Sequence, residues 1–169
     1  MMGKYIQESE LVNSSFDCFC INLATAGSLS DIGHISLKKL LKYFFLLKHI
    51  SHVVREIRPE LVYITPNAGG KAFFKDFIVV QMLKSMGCKV IAHYHNKGVS
   101  VYQSKWVYNF FYKRFFSNLK VILLAENLYK DIAKYVKRED VYICPNGIPS
   151  SCKEEMEARR NNVIPHLLF

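Results

Sequence analysis

Two apolar runs near the end of the chain constrain its fold most. Val121-Ile122-Leu123-Leu124 passes into Ala125-Glu126-Asn127-Leu128, and Val141-Tyr142-Ile143-Cys144 stops at Pro145, where Asn146-Gly147 follows. Runs of this length read as buried strands, and Asn-Gly accommodates the positive φ of a tight turn. The segment from Glu126 to Val136 reads as a helix opened by an acidic residue. Strand, helix and strand in that order form a βαβ unit. Such units build parallel sheets, because parallel neighbours need a crossover connection.

The alternation extends back along the chain. Strands are predicted near 17–23, 61–64, 89–93, 120–124 and 140–144. A short helix is predicted over Lys4–Leu11. A longer one, capped by Ser36, presents Leu37, Leu40, Leu41, Phe44, Leu47, Ile50, Val54 and Ile57 at three- and four-residue steps and ends at Pro59. Helices over 72–86, 102–116 and 126–136 follow, with Gly87 stopping the first. A further helix at 151–160 and strand at 163–169 complete the reading. Half of the residues are apolar, ample for a packed core. The pattern predicts a three-layer, Rossmann-like α/β domain with a mostly parallel sheet. The opening strand and Gly-rich turn of a doubly wound domain are not evident after Met1-Met2-Gly3-Lys4. A first strand would lie mid-sheet, so its lack is expected to leave an exposed edge and promote self-association.

Ligands of such sheets bind at the carboxyl ends of the strands, which selects the loops 24–33, 65–70, 94–100 and 125–127. His93-Tyr94-His95-Asn96-Lys97 stands at one strand end. A neutral imidazole there can exchange hydrogen bonds with a sugar hydroxyl, and a protonated one can pair with phosphate. Asn67, Gly69 and Gly70 sit in a small-residue loop before a helix, where backbone amides can hold an anion. The loop lacks Walker spacing and is not a dinucleotide fingerprint. Glu126 opens a helix at a strand end, a place the macrodipole favours for any carboxylate. No nucleophile elbow or paired carboxylates stand out.

The net charge is +9, and no Asp or Glu occurs from Ile32 to Arg55 or from Phe77 to Ala125. Such a balance favours an anionic partner. The segment 103–116 combines Trp106, Tyr108, Phe110, Phe111, Tyr112, Phe115 and Phe116 with Lys105, Lys113 and Arg114. One stripe packs on the sheet, and the surplus suits a membrane interface with anionic lipid. No nucleic-acid motif accompanies it. The five cysteines, Cys18, Cys20, Cys88, Cys144 and Cys152, read as buried free thiols in a reducing compartment. No zinc spacing, signal peptide or membrane-spanning run is present, so no metal is expected and the location reads as cytoplasmic, peripheral at the inner face of a membrane.

Strand, Glu126-led helix, strand and Pro145-Asn146-Gly147-Ile148, together with Ile91-Ala92-His93-Tyr94-His95-Asn96-Lys97-Gly98, resemble the first domain of family 4 retaining glycosyltransferases of the GT-B fold. The resemblance covers roughly residues 4 to 150. It implies a first domain over 1–150 that binds acceptor, and the beginning of a linker or second domain over 151–169. It also implies a nucleotide-sugar donor, a glycan or lipid-linked acceptor as in surface polysaccharide assembly, and no cofactor. By that resemblance His95 takes the role of the family's catalytic-site histidine, and His93, Asn96, Lys97, Asn67, Gly69, Gly70 and Glu126 line the substrate. The donor's diphosphate is held by the second domain in that family, so these residues alone are expected to be inactive. The alternative from the residues themselves is a stand-alone, membrane-associated α/β binding module without catalysis.

Overall fold

The computed structural model describes residues 9–23 and 37–146. The loop 24–33, Ser36, Gly147 and the elements expected before Ser9 and after 150 lie outside the described residues. The fold is α/β, with a Rossmann-like sheet of four parallel strands in the order β1-β2-β3-β4. The chain divides into two compact units, Met1–Val62 with Phe74–Lys89, and Tyr63–Phe73 with Val90–Phe169.

In the first unit, α1 (Glu10–Ser15) starts at Ser9, whose hydroxyl accepts from the Val12 amide at 3.4 Å. Residues 17–23, predicted as a strand, form none. Their alternation is weak, and Phe19, Cys18 and Cys20 remain exposed, so no apolar face drives the segment onto a sheet. The expectation of buried thiols fails at Cys18, Cys20 and Cys144, which are exposed, whereas Cys88 is half-buried.

The long helix α2 (Leu37–Ile57) has the predicted extent but not the predicted burial. Ile50, Val53 and Val54 are buried, whereas Leu37, Leu40, Leu41, Phe44 and Ile57 are exposed. Periodicity identifies an apolar face; it does not ensure that anything packs on it. The next helix, α3 (Gly70–Ser85), is tied to α2 by the Tyr43 hydroxyl, which donates to the Lys75 carbonyl at 2.6 Å. Gly87, with φ at +82°, ends α3 as predicted. Its amide donates to the Lys84 carbonyl and the Cys88 amide to the Leu83 carbonyl, a Schellman closure that requires the left-handed residue.

β1 (Leu61–Ile64), β2 (Lys89–Tyr94), β3 (Lys120–Leu123) and β4 (Val141–Ile143) lie within a residue or two of their predicted positions. Register pairs His93 with Ile122 and Ile122 with Tyr142. Side chains alternate along each strand. Val90, Ala92 and Tyr94 on β2, with Val121 and Leu123 on β3, face a core that also buries Tyr112, Phe115, Phe116 and Ile132. His93 therefore belongs to the other face, in a row with Ile122 and Tyr142.

Two expected helices are broken. The aromatic one divides into α4 (Val99–Tyr102) and α5 (Trp106–Phe116). The one after β3 begins as a 3-10 turn at Glu126–Leu128, continues as α6 (Tyr129–Ile132), and a second 3-10 turn at Arg138–Asp140 leads into β4.

Candidate functional site

The sequence from Gly98 to Ser100 sets where α4 starts. A helix start leaves amides without intrahelical acceptors, and Gly98 offers no side chain to cap them. The acceptor comes from α6. Asp131 Oδ2 receives the Gly98 and Val99 amides, each at 2.9 Å. Asp131 Oδ1 receives the Ser100 amide at 3.0 Å and the Ser100 hydroxyl at 2.5 Å. The carboxylate is buried. Burial by itself raises its pKa, but the hydrogen bonds from Ser100 and the three amides outweigh that and hold it below the usual carboxylate range. Asp131 therefore fixes the chain just beyond His95, Asn96 and Lys97.

The preceding β1–α3 loop is held to the same region. The Tyr112 hydroxyl donates to the Ala68 carbonyl at 2.5 Å. A Cβ on Gly69 would overlap the Tyr102 ring, so only glycine lets that ring approach. Gly70 enters α3 with φ at +69°, a left-handed conformation that also favours glycine. Pro66 and Ala68 are buried and Asn67 is exposed. This loop is thus packed at Pro66 and Ala68 and open at Thr65 and Asn67. The loops after β1 and β2 thus share one rigid rim, held by Asp131, Tyr102 and Tyr112.

On that rim the two histidines come together. His93, on β2, and His95, just beyond its end, lie with ring centroids 4.1 Å apart and ring planes tilted by 40°. Tyr63 reaches over from β1, its hydroxyl 2.6 Å from His93 Nδ1. His93 is only 3% exposed. Burial, reinforced by His95, pushes its imidazole down to about 4, and burial lowers His95 as well. Both rings are therefore neutral at pH 7. Burial also raises the Tyr63 phenol to about 12, so it keeps its proton. Where Tyr63 donates to Nδ1, the proton of the neutral His93 ring sits on Nε2. Among the described residues, His93 Nε2 and His95 Nε2 are buried and have no hydrogen-bond partner.

The other predicted residues separate into two groups. Asn96 and Lys97 follow the histidines and are exposed. Glu126 is engaged elsewhere: its oxygens accept from Arg138 Nε at 2.9 Å and Nη2 at 2.7 Å, a two-pronged ion pair that leads into β4. Among the described residues, no group of three or more His, Cys, Asp or Glu could hold a metal ion, and no helix is long and apolar enough to cross a membrane.

Sequence reasoning missed Asp131 and Tyr63. The capless helix start at Gly98 was the one sign that an acceptor must come from elsewhere; nothing local marks Tyr63. No protein-family model matches the chain, and neither a curated protein nor a solved structure matches it.

Proposed function

We propose that the second unit is the acceptor-binding half of a glycosyltransferase of the GT-B kind, in which His93 and His95 hold hydroxyls of a glycan or lipid-linked acceptor. The observation that carries this reading is the close pair of neutral imidazoles whose buried Nε2 atoms lack partners among the described residues. A buried polar atom without a partner costs roughly 1–3 kcal/mol, and a ligand hydroxyl relieves that cost, since it both donates and accepts. Ile122 and Tyr142, in the same row of the sheet as His93, offer an apolar and aromatic surface to a sugar's C–H face.

The chemistry asked of these residues is placement. His95 accepts the proton of the acceptor hydroxyl in a hydrogen bond and aims its oxygen at the anomeric carbon of a nucleotide-sugar donor. The rigid rim keeps that aim, and orientation of this kind is a large part of what transfer enzymes supply. Asn96 and Lys97, next in the loop, meet the outward end of the acceptor.

The test is saturation-transfer NMR with the methyl glycosides of glucose, galactose, mannose and N-acetylglucosamine. Transfer to at least one is expected, and it is expected to vanish in His95→Ala and in His93→Asn while the far-ultraviolet spectrum stays unchanged. Absence of transfer to all four, or equal transfer in the variants, overturns the reading.

A further inference from the structure

Core packing accounts for only one stripe of α5. Tyr108, Tyr112, Phe115 and Phe116 follow the i, i+4, i+7, i+8 rule and form an inward cluster with Phe73, in which Tyr112 and Phe115 are fully buried. Two residues out of step, Trp106, Phe110, Lys113 and Arg114 repeat the same spacing on the opposite side of the helix. Trp106 is 80% exposed and Phe110 50%. Arg114 lies over the Phe110 ring, 5.5 Å from its centroid, and Lys105 flanks the stripe at the helix start.

The unit that carries this stripe is rich in positive charge. The described part of the second unit holds ten Lys and Arg against four Asp and Glu. All four acids are engaged: Glu126 by Arg138, Asp131 by the 98–100 amides, Glu139 by Lys137 and Asp140 by Lys120. The first unit repeats the chemistry. Leu37, Leu40, Leu41, Phe44 and Phe45 of α2 are exposed, Lys38 and Lys42 stand among them, and Lys48 lies over Phe44 at 5.1 Å.

We propose that the Trp106–Phe110 stripe, with Lys105, Lys113 and Arg114, docks on the surface of an anionic lipid bilayer. Tryptophan and phenylalanine flanked by cations match the headgroup level, where the ring enters the apolar boundary and the cation stays with lipid phosphate. A helix of this length, roughly 16 Å, suits a position in the membrane plane. A second copy of the chain is a poor occupant, because it would bring the same cations face to face. The inference stands independently of the acceptor reading.

Trp106 is the single tryptophan of the chain, so its emission reports this surface alone. The full chain is titrated with vesicles of phosphatidylcholine and with vesicles containing phosphatidylglycerol. The anionic vesicles are expected to blue-shift the emission and shield it from acrylamide, brominated acyl chains to quench it, and salt to reverse both effects. The Lys113→Glu/Arg114→Glu variant keeps the reporter and is expected to lose at least about tenfold in partitioning. Phe110→Ser, read by vesicle sedimentation, is expected to weaken binding without changing the melting curve. Four results overturn the proposal: no shift on anionic vesicles, an equal shift on neutral ones, a full shift in the charge-reversed variant, or a shift that depends on protein concentration without lipid. A shift produced by a single-stranded oligonucleotide and not by vesicles overturns it in favour of nucleic acid.

Discussion

Replacing Asp131 by Asn keeps the shape of the side chain and removes its charge, which makes it the sharpest probe of the rim. Asp131 serves four donors with two oxygens, at 2.5–3.0 Å. In the Asp131→Asn variant one of those oxygens becomes an NH2 group. Facing Gly98 and Val99, that group would oppose two backbone amides that can only donate. Facing Ser100, it finds a hydroxyl able to turn and accept, so only the Ser100 amide is lost. The two amide bonds that remain, from Gly98 and Val99, lose their charge assistance, worth about 1 kcal/mol each. One orphaned buried amide adds about 1 kcal/mol or more, for a total of ~3 kcal/mol. Asp131→Ala strands all four donors and is expected to lie near ~4–5 kcal/mol, within the range for breaking a buried charge contact. Urea unfolding followed by circular dichroism gives these values. Hydrogen exchange at Gly98, Val99 and Ser100 tests the mechanism, because these amides should lose protection in native conditions. A loss below about 1 kcal/mol in Asp131→Asn, no more than one ordinary hydrogen bond, refutes the reasoning. So does a large loss with the three amides still protected, which would place the damage elsewhere.

Gly69→Ala inserts a methyl group into the Tyr102 ring, and overpacking of this kind costs about 1–3 kcal/mol in thermal melts. Shortening the obstacle in a Gly69→Ala/Tyr102→Ala double variant should recover much of it, and strict additivity would show that the two residues do not meet. Acid is expected to weaken the fold through His93, whose folded imidazole at about 4 lies below its ordinary 6.5. Its stabilising contribution is complete above 6.5 and is lost as pH falls toward 4, to a ceiling of ~3 kcal/mol. His93→Asn should flatten most of that decline in urea midpoints between pH 6.5 and 4, and an unchanged slope would count against the neutral, buried ring. Asp131 shifts the other way, so its contribution persists through this window and declines only below the ordinary carboxylate range.

The parts of the fold legible in the sequence were those decided by local runs. Val90-Ile91-Ala92 and Val121-Ile122-Leu123 are continuous apolar runs, so strand position followed from them, whereas the face that each residue takes did not. Residues 17–23 carried a weaker version of the same signal, and pairing depends on a partner edge that a local pattern does not encode. The stripe Leu37–Phe44 shows the same limit in a helix: its periodicity is real and its expected partner is absent from the described residues. At the site, the one-residue spacing of His93 and His95 was enough to place two rings on one face. Asp131 was not legible because its donors lie 31 to 33 residues away, and in Tyr129-Lys130-Asp131-Ile132 it reads as an ordinary polar helix residue. The pairing of Glu126 was equally hidden, since its partner Arg138 stands twelve residues on.

The protonation of the two histidines decides between the chemistries that their sequence left open. Phosphate recognition would need at least one imidazolium at neutral pH. His93 is flanked by a phenol that keeps its proton, a second imidazole and the sheet, and none of these carries the negative charge that would favour a positive ring. Burial acts on both rings in the same direction, and His95 further disfavours the charging of His93. Lys97 is close by in the chain but exposed, where solvent screens its attraction for an anion. In the β1–α3 loop the Tyr102 ring lies close against Gly69, and Tyr112 holds the Ala68 carbonyl. What is left on this face is a pair of neutral, unpartnered nitrogen atoms beside aromatic and aliphatic surface, held in place by a buried carboxylate behind the loop. On the proposed reading, that combination favours hydroxyl groups on a partly apolar ring over free phosphate, and so the acceptor of a sugar transfer over the diphosphate of the donor.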